Sequence, residues 1–496
     1  MKYKLIGITA IICAIIISVA VPATGIVSAK ERYHQHISAA LRPEDEVNDG
    51  TFNSHLPLVK IDTRGQVIPG YILKDENGKN LAVNGQAVHA LTEDGETTIQ
   101  AGISIIDNED TVNRPDDEPA ITSEMRFRIR GNSSREFDKK SYFVKLIDKE
   151  GNNNPQPVMG MDAHHEWALY GPYLDKSLIR NYMWYNIAGE LMDYSPNVRF
   201  CEVFLDGEYQ GLYVMTEMIT AGKGEARLPL TVSAKRSTFS GYLLRMDRGS
   251  DNPMKNIEDF LYYAKRTQFP IEIVYPGTNN LTPEIAEAIR TDFSDFEKAL
   301  YSYDFDNAKW GYKNLIDVES FADYFILNEF TCNYDAGWLS TYIYKDIDNR
   351  FKMCIWDFNS ACQNYEKIQD TRDFAFQNVQ WFWMLMKDED FVNEIIERYR
   401  FLRKNYLSDE YLNNYMDETI AYLGPAIDRN FSVWGYTFEE YRPLDPDYRN
   451  PNDYESAVEM IRSFIRESGG WMDRNIESLK QYAKTSKVKK FDEDAN

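Results

Sequence analysis

The chain has 496 residues and a formal net charge of −23 at pH 7, and 43% of its residues are hydrophobic and 14% aromatic. A chain of this length buries a large core, and the length predicts more than one lobe. The acidic balance argues against nucleic acid or an anionic membrane surface as the main partner, because both repel it, whereas a basic protein substrate is compatible with it.

The N-terminus carries a predicted export signal. Lys2 and Lys4 precede the apolar run LIGITAIICAIIISVAV, and Val27-Ser28-Ala29 is a small-x-small cleavage site, which is typical of a signal peptide over residues 1–29. An uncleaved signal anchor is the alternative, because the apolar run approaches the length that spans a bilayer. We therefore expect an exported protein, with a membrane partner only if this segment is retained. Residues 30–55 are polar.

Four cysteines lie outside the signal segment: Cys201, Cys332, Cys354 and Cys362. An even number permits disulfides outside the cell, but four in so long a chain do not make a disulfide scaffold. Small buried apolar side chains are the alternative interpretation, and the sequence does not decide the pairing.

Residues 56–220 predict a β-rich lobe with one main helix. The β segments LPLVKIDT, GYILKD and TTIQAGISIID are separated by Gly, Asn and Asp turns. A helix is expected over residues 175–193 with Asp175 as its N-cap. The segment RFCEVFLDGEYQGLYVMTEMI predicts two strands around an Asp206-Gly207 turn.

A cationic β-hairpin is predicted within this lobe by the segment MRFRIRGNSSREFDKKSYFVKLID. Apolar residues alternate with arginines along its first strand. One face has Met125, Phe127 and Ile129, and the other has Arg126, Arg128 and Arg130. Backbone N–H groups at the Gly-Asn-Ser-Ser turn, with Lys and Arg beside them, suit a polyphosphate. A solvated strand face is the alternative.

Residues 221–484 predict a mostly helical lobe, and the tail 485–496 is expected to be disordered. Helical patterns cover LTPEIAEAIRTDFSDFEKALYSY, NLIDVESFADYFILNEF and several segments from 389 to 484. One β-hairpin, formed by TYIYKD and RFKMCIWDF, interrupts them.

A β-rich lobe followed by a helical lobe with a small hairpin is the layout of a protein kinase. The sequence therefore predicts an α+β, two-lobed, atypical kinase-like fold. A helix ends near Phe330, the next loop holds Asp335, and the hairpin presents Asp357 at its far end. Phosphoryl transfer needs one carboxylate near the acceptor hydroxyl and another on magnesium at the phosphates. Structural capping by the two aspartates is the alternative.

Five segments resemble the spore-coat protein H (CotH) kinase family: RIRGNSSREFDKKSYFVKL, MGMDAHHEWALYGPYLDKSLIRN, FLDGEYQGLYVMTEMI, CIWDFN and LGPAIDRNFSVWG. The matches run in order from about Leu56 to Trp434. The resemblance implies an atypical, exported kinase that uses ATP and Mg²⁺ to phosphorylate Ser or Thr of proteins. Coat or surface proteins are the implied substrates, and the extracellular space, cell surface or spore coat the implied location.

The resemblance also implies roles for single residues. Asp335 matches the catalytic-loop aspartate, and Asp357 matches the aspartate that binds the metal. The implied nucleotide-binding residues are Arg130, Gly131, Asn132 and Ser133 over the phosphates, Lys140 or Lys145 at the phosphates, and Glu217 beside the base.

Two metal-ligand positions depart from the expected pattern. Ser340 stands where an ordinary kinase has Asn, and Asn359 stands where the family usually has an acidic residue. Neutral oxygens bind magnesium less well than carboxylates, so a slow single-metal kinase and an inactive structural, assembly or adhesion protein both stay open. A carbohydrate-active enzyme is a third alternative for an aromatic-rich chain, but no motif supports it.

Overall fold

The computed structural model describes Arg32 and residues 34–83, 86–221, 227–228, 230–231, 240–347, 349–366 and 373–484. The predicted signal segment 1–29 and the predicted tail 485–496 lie outside these ranges. Within them, no helix has the length and apolar character needed to cross a membrane.

The first half of the chain is built mainly from β-strands. They are β1 (Leu58–Asp62), β2 (Ala82–Val83), β3 (Gln86–Ala87), β4 (Ile99–Ile106), β5 (Ile121–Arg130), β6 (Ser141–Ile147), β7 (Glu166–Tyr170), β8 (Val198–Leu205) and β9 (Glu208–Glu217). Seven of them close into a barrel in the order β1-β4-β5-β6-β7-β9-β8, and β2 pairs with β3. Every barrel pair is antiparallel except β1 with β8. The sequence did not predict this closure.

Alternating apolar residues explain why these strands form a barrel. Met125, Phe127 and Ile129 on β5 are buried, whereas the arginines between them reach the outer surface. The predicted hairpin is confirmed, since β5 pairs with β6 from Glu124 opposite Ile147 to Arg130 opposite Ser141. The second predicted hairpin is confirmed as β8 and β9. The GYILKD segment forms only isolated bridges.

A second sheet lies in the later part of the chain. Its strands are β10 (Tyr242–Met246), β11 (Asn256–Ile257), β12 (Ile271–Tyr275), β13 (Thr341–Lys345) and β14 (Lys352–Cys354). The order is β11-β12-β10-β13-β14. The predicted hairpin is present as β13 and β14, but it forms one side of a five-stranded sheet rather than standing alone among helices.

Helices fill most of the remaining described chain. They are α1 (Gln35–Ser38), α2 (Arg180–Leu191), α3 (Phe260–Tyr263), α4 (Pro283–Tyr301), α5 (Val318–Thr331), α6 (Phe382–Leu385), α7 (Glu389–Arg403), α8 (Asp409–Leu423), α9 (Pro425–Trp434), α10 (Thr437–Glu440) and α11 (Tyr454–Asn475). Short 3₁₀ helices cover Pro43–Asp45, Ser133–Glu136, Val158–Gly160, Pro253–Lys255, Tyr312–Asn314, Asp447–Arg449 and Ile476–Tyr482.

The helix predicted over residues 175–193 is shorter than expected. It begins at Arg180, and Asp175 is not its N-cap. The Asp175 carboxylate instead accepts hydrogen bonds from the backbone N–H groups of Ser177 and Arg180, which closes the turn before the helix. Asp residues stabilise both arrangements by the same backbone hydrogen bonding, so sequence alone does not separate them.

Two hydrophobic cores hold the fold together. One fills the barrel interior, and the other joins the outer side of β8 and β9 to α2, the second sheet and the later helices. Because the second core spans both predicted lobes, the described residues from 34 to 484 belong to one compact unit. The mixed α+β class is confirmed, and the division into two lobes near residue 220 stays a prediction.

Phe127→Ala is expected to lower the free energy of unfolding by about 3–5 kcal/mol, because Phe127 is fully buried inside the barrel and its loss leaves a cavity. Arg126→Ala, on the exposed side of the same strand, is the matched control and should change it by less than about 0.5 kcal/mol. Urea unfolding followed by circular dichroism checks both. Equal losses in the two variants would contradict the assignment of the barrel interior.

Candidate functional site

A cleft of about 740 Å³ opens where β5 ends and β6 begins. Its walls include three segments that lie far apart in sequence: the turn after β5, the loop after α5 and the segment after β14. Eight of the predicted site residues line it: Arg130, Gly131, Asn132, Ser133, Asp335, Ser340, Asp357 and Asn359. The fold therefore brings the predicted cationic turn and both predicted aspartates to one cavity.

The turn after β5 requires glycine at its first position. Gly131 has φ +106, and a Cβ atom there would lie 1.9 Å from the Ser134 Oγ. Arg135 donates from Nε to the Gly131 carbonyl at 2.5 Å and from Nη1 to the Gly70 carbonyl. These contacts fix the turn at the rim of the barrel, with its backbone beside the cleft.

Asp335 lies in a tight loop that follows α5. Its carbonyl accepts hydrogen bonds from the backbone N–H groups of Trp338 at 3.1 Å and Leu339 at 2.8 Å. Gly337 has φ +82, and a Cβ atom there would lie 2.3 Å from the Val379 Cγ1. The loop is therefore held by its own backbone and by close packing, which fixes the direction of Asp335.

Helix α2 positions Asp357, which has φ +64. The Asp357 N–H donates to the Tyr185 hydroxyl at 2.9 Å, and the Phe358 N–H donates to the Asn181 Oδ1 at 2.8 Å. Asn333 donates from Nδ2 to the Asp357 carbonyl at 3.1 Å, which connects the two aspartate segments. Sequence reasoning missed Asn181 and Tyr185, although their i,i+4 spacing on a buried helix was a usable signal.

The two aspartates lie in an environment that opposes full ionisation. Burial raises the pKa of Asp357 to about 6, and the nearby Asp335 and Asp247 carboxylates add to the effect. Burial also raises the pKa of Asp335. The Arg130 guanidinium opposes the shift at Asp357 and lies 5.5 Å from the centre of the Trp356 ring. A cationic ligand would relieve the repulsion between these carboxylates.

Every cationic side chain among the described residues of this cleft is an arginine or the weakly basic His89. The arginines are Arg128, Arg130, Arg135, Arg245 and Arg248. Sequence reasoning missed Arg245 and Arg248, which flank Asp247 in the segment LLRMDRGS after β9. Planar guanidinium groups bind phosphate oxygens bidentately, so the wall is suited to a polyphosphate.

Three predicted nucleotide-binding residues do not line the cleft. The Lys140 Nζ donates to the Arg135 carbonyl at 2.9 Å, and the Lys145 Nζ lies 3.5 Å from Glu166. Glu217 is fully buried, and its carboxylate accepts from the Asn197 N–H at 2.9 Å. Their proposed contacts with ATP stay predictions.

Oxygen ligands for a metal converge in the cleft. Asp335, Asp357, Asn359 and Ser340 all line it. In the described part of the chain, however, no three His, Cys, Asp or Glu side chains are grouped so that they could hold a metal ion by themselves. Magnesium in phosphate-transfer sites uses one or two carboxylates and completes its shell with phosphate oxygens and water, so this ligand set fits Mg²⁺ bound together with a nucleotide.

Asp357→Asn is expected to stabilise the fold at neutral pH. The pKa of Asp357 is raised from 3.8 to about 6, so the stability contributed by its neutral form is complete below pH 4 and is lost as the pH rises through about 6. Asparagine is neutral at every pH and also tolerates positive φ. The variant should therefore exceed the wild type by on the order of 2 kcal/mol at pH 7.5 and match it at pH 4.

Urea unfolding at pH 4, 6 and 7.5 measures this difference. Asp110→Asn, which replaces an exposed aspartate, is the control for the loss of one carboxylate. A gain for Asp357→Asn that is the same at all three pH values would contradict the raised pKa.

Comparison with known proteins gives the family of the chain. No curated protein matches it. The family model described as CotH kinase protein matches residues 127–472, which include the end of β5, all of β6, both aspartates and most of α11. The matched region is more than two thirds of the sequence. The chain therefore belongs to the CotH kinase family.

Proposed function

We propose that this protein is an exported Ser/Thr protein kinase that transfers the γ-phosphate of ATP to hydroxyl groups of proteins, with coat or surface proteins as its substrates. One observation carries the proposal. Asp335 and Asp357 share a single cleft with a glycine-containing turn and a wall of arginines. Membership of the CotH kinase family supports the same reaction class.

Each part of the cleft has a role in this proposal. The backbone N–H groups of residues 131–134 and the guanidinium groups of Arg130 and its neighbours bind the phosphates. Asp335 receives the proton of the acceptor hydroxyl, and its raised pKa brings it closer to the neutral range that suits a general base. Asp357 and Asn359 would hold Mg²⁺, which neutralises charge on the transferred phosphoryl group when bound.

Export is also part of the proposal. It rests on the signal-like segment 1–29, which precedes the described residues. A kinase outside the cytoplasm depends on a compartment that contains ATP, such as the space around a forming spore, or on nucleotide released from cells. The net charge of −23 favours basic substrate proteins.

A non-catalytic CotH-like protein that serves in assembly or adhesion is the second candidate function. Neutral Ser340 and Asn359 favour it, because they replace stronger or more usual metal ligands. ATP binding and transfer decide between the two candidates.

The proposal is tested by mass spectrometry of purified 30–496 after incubation with ATP, Mg²⁺ and a basic Ser-rich peptide. Phosphate should appear on the peptide or the protein and should be lost in Asp357→Asn, because the variant removes the metal carboxylate. Asp335→Ala should lower turnover more than nucleotide affinity. Transfer by Asp357→Asn at the wild-type rate would overturn the site, and absence of both transfer and Mg²⁺-dependent ATP binding would favour the non-catalytic candidate.

Arg130→Ala is expected to weaken ATP binding about tenfold or more, because it removes a charge-assisted hydrogen-bond donor from the cleft. Lys145→Ala removes the same formal charge outside the lining and should leave affinity within about twofold. Isothermal titration calorimetry with ATP and Mg²⁺ measures both. A larger loss of ATP affinity in Lys145→Ala than in Arg130→Ala would favour Lys145 as the phosphate ligand. It would contradict phosphate binding by the arginines of the cleft.

A further inference from the structure

A second groove, of about 520 Å³, adjoins the cleft. The two cavities share four residues: Asn132, Asp247, Arg248 and Leu339. The groove begins beside the Asp335 loop and continues over the second sheet to the segment before β12. A molecule that lies in this groove therefore reaches the cleft at the boundary formed by these four residues.

The wall beyond this shared boundary is mixed, with seven apolar residues among its thirteen. Its apolar residues are Ala82, Ala87, Met246, Phe269, Pro270, Ile271 and Trp338. Trp338 is 39% exposed, although a tryptophan usually buries most of its surface in a core. It lies three residues after Asp335 in the loop whose backbone is fixed by hydrogen bonds. The backbone of Trp338 is therefore held at a set position relative to the proposed base.

The charges in the groove are close to balanced. Arg248 Nη1 lies 2.9 Å from the Asp247 Oδ1, so these two charges pair with each other. Burial raises the pKa of Asp259 to about 6, and its carboxylate is the second negative charge of the groove. Arg266 is exposed at the outer end. Apolar contact rather than net charge is thus the recognition that this groove offers close to Asp335.

We propose that the groove holds an extended segment of the protein substrate, and that an apolar residue next to the acceptor Ser or Thr packs on Trp338. The inference rests on the proposed kinase function and adds a substrate preference to it. If Asp335 accepts the hydroxyl proton while the arginines bind ATP, the acceptor chain must approach Asp335 from a side that the phosphates leave open. The groove meets this requirement through Leu339 and Asp247, which border both cavities.

A second approach to Asp335 competes with this groove. Tyr334 is 45% exposed and stacks on Tyr365, with ring centres 3.9 Å apart. Tyr365 also lines the cleft. We favour the groove because it is a concave surface continuous with the cleft and carries the exposed Trp338.

Paired peptides test the proposal in the full mature chain. Both are basic and contain one Ser, flanked by Leu in one peptide and by Gly in the other. The wild type should show a KM about tenfold lower for the Leu peptide, and Trp338→Ala should remove this preference while ATP affinity is unchanged. Trp310→Ala, which removes an exposed tryptophan outside the groove, is the matched control and should keep it.

Each outcome supports or overturns the inference. If Tyr334→Ala loses the preference for the Leu peptide and Trp338→Ala keeps it, the substrate binds near Tyr334 instead, and the inference is overturned. Fluorescence anisotropy of the labelled peptides supplies a readout that needs no transfer. If no variant transfers phosphate but the Leu peptide binds in a Trp338-dependent manner, the groove stands and the kinase function fails. Equal binding of both peptides to the wild type would overturn the groove.

Discussion

The candidate site depends on the hydrogen bonds between side chains of helix α2 and the backbone of the segment after β14. Asn181 and Tyr185 accept hydrogen bonds from two successive backbone N–H groups, and Arg180 donates to the Ala361 carbonyl at 3.0 Å. Arg180 is in turn fixed by the buried Asp175 at 2.5 Å. A positive φ at a residue other than glycine costs free energy and persists only where the surrounding structure enforces it. These hydrogen bonds supply that enforcement at Asp357 and so keep its side chain at the cleft.

The cleft gathers buried charges of like sign, which suit ligand binding but lower the stability of the fold. Burial raises the pKa of Asp357, and the nearby Asp335 and Asp247 carboxylates raise it further. Burial also lowers the pKa of Arg128 and of Arg135, and repulsion from neighbouring arginines adds to the effect. A ligand that carries both a cation and phosphates would stabilise the carboxylates and the guanidinium groups at once, and a metal-bound nucleotide has that composition.

The sequence predicts some features of this protein and not others, for physical reasons. Period-two alternation identified β5 and β6, and the Asp206-Gly207 turn identified β8 and β9, because both signals are local. Barrel closure and the five-stranded sheet depend on pairing between distant strands, such as β1 with β8 and β10 with β13, which no local pattern encodes. Asp335 and Asp357 were found from their order around a hairpin, whereas Arg245 and Arg248 entered the cleft through long-range sheet pairing.

Lys140 and Lys145 show that a local sequence pattern also does not determine where a single side chain points. A cluster of positive charge in the sequence does not give the direction of each side chain. In the structure Lys140 donates to the Arg135 carbonyl, and Lys145 forms an ion pair with Glu166. The cleft is consequently lined by guanidinium groups, with no primary amine among its described residues. Guanidinium groups stay protonated and are poor nucleophiles, unlike a lysine amine of lowered pKa. Nucleotide probes that mark ATP sites by acylating a lysine would therefore leave this cleft unlabelled even when they bind it.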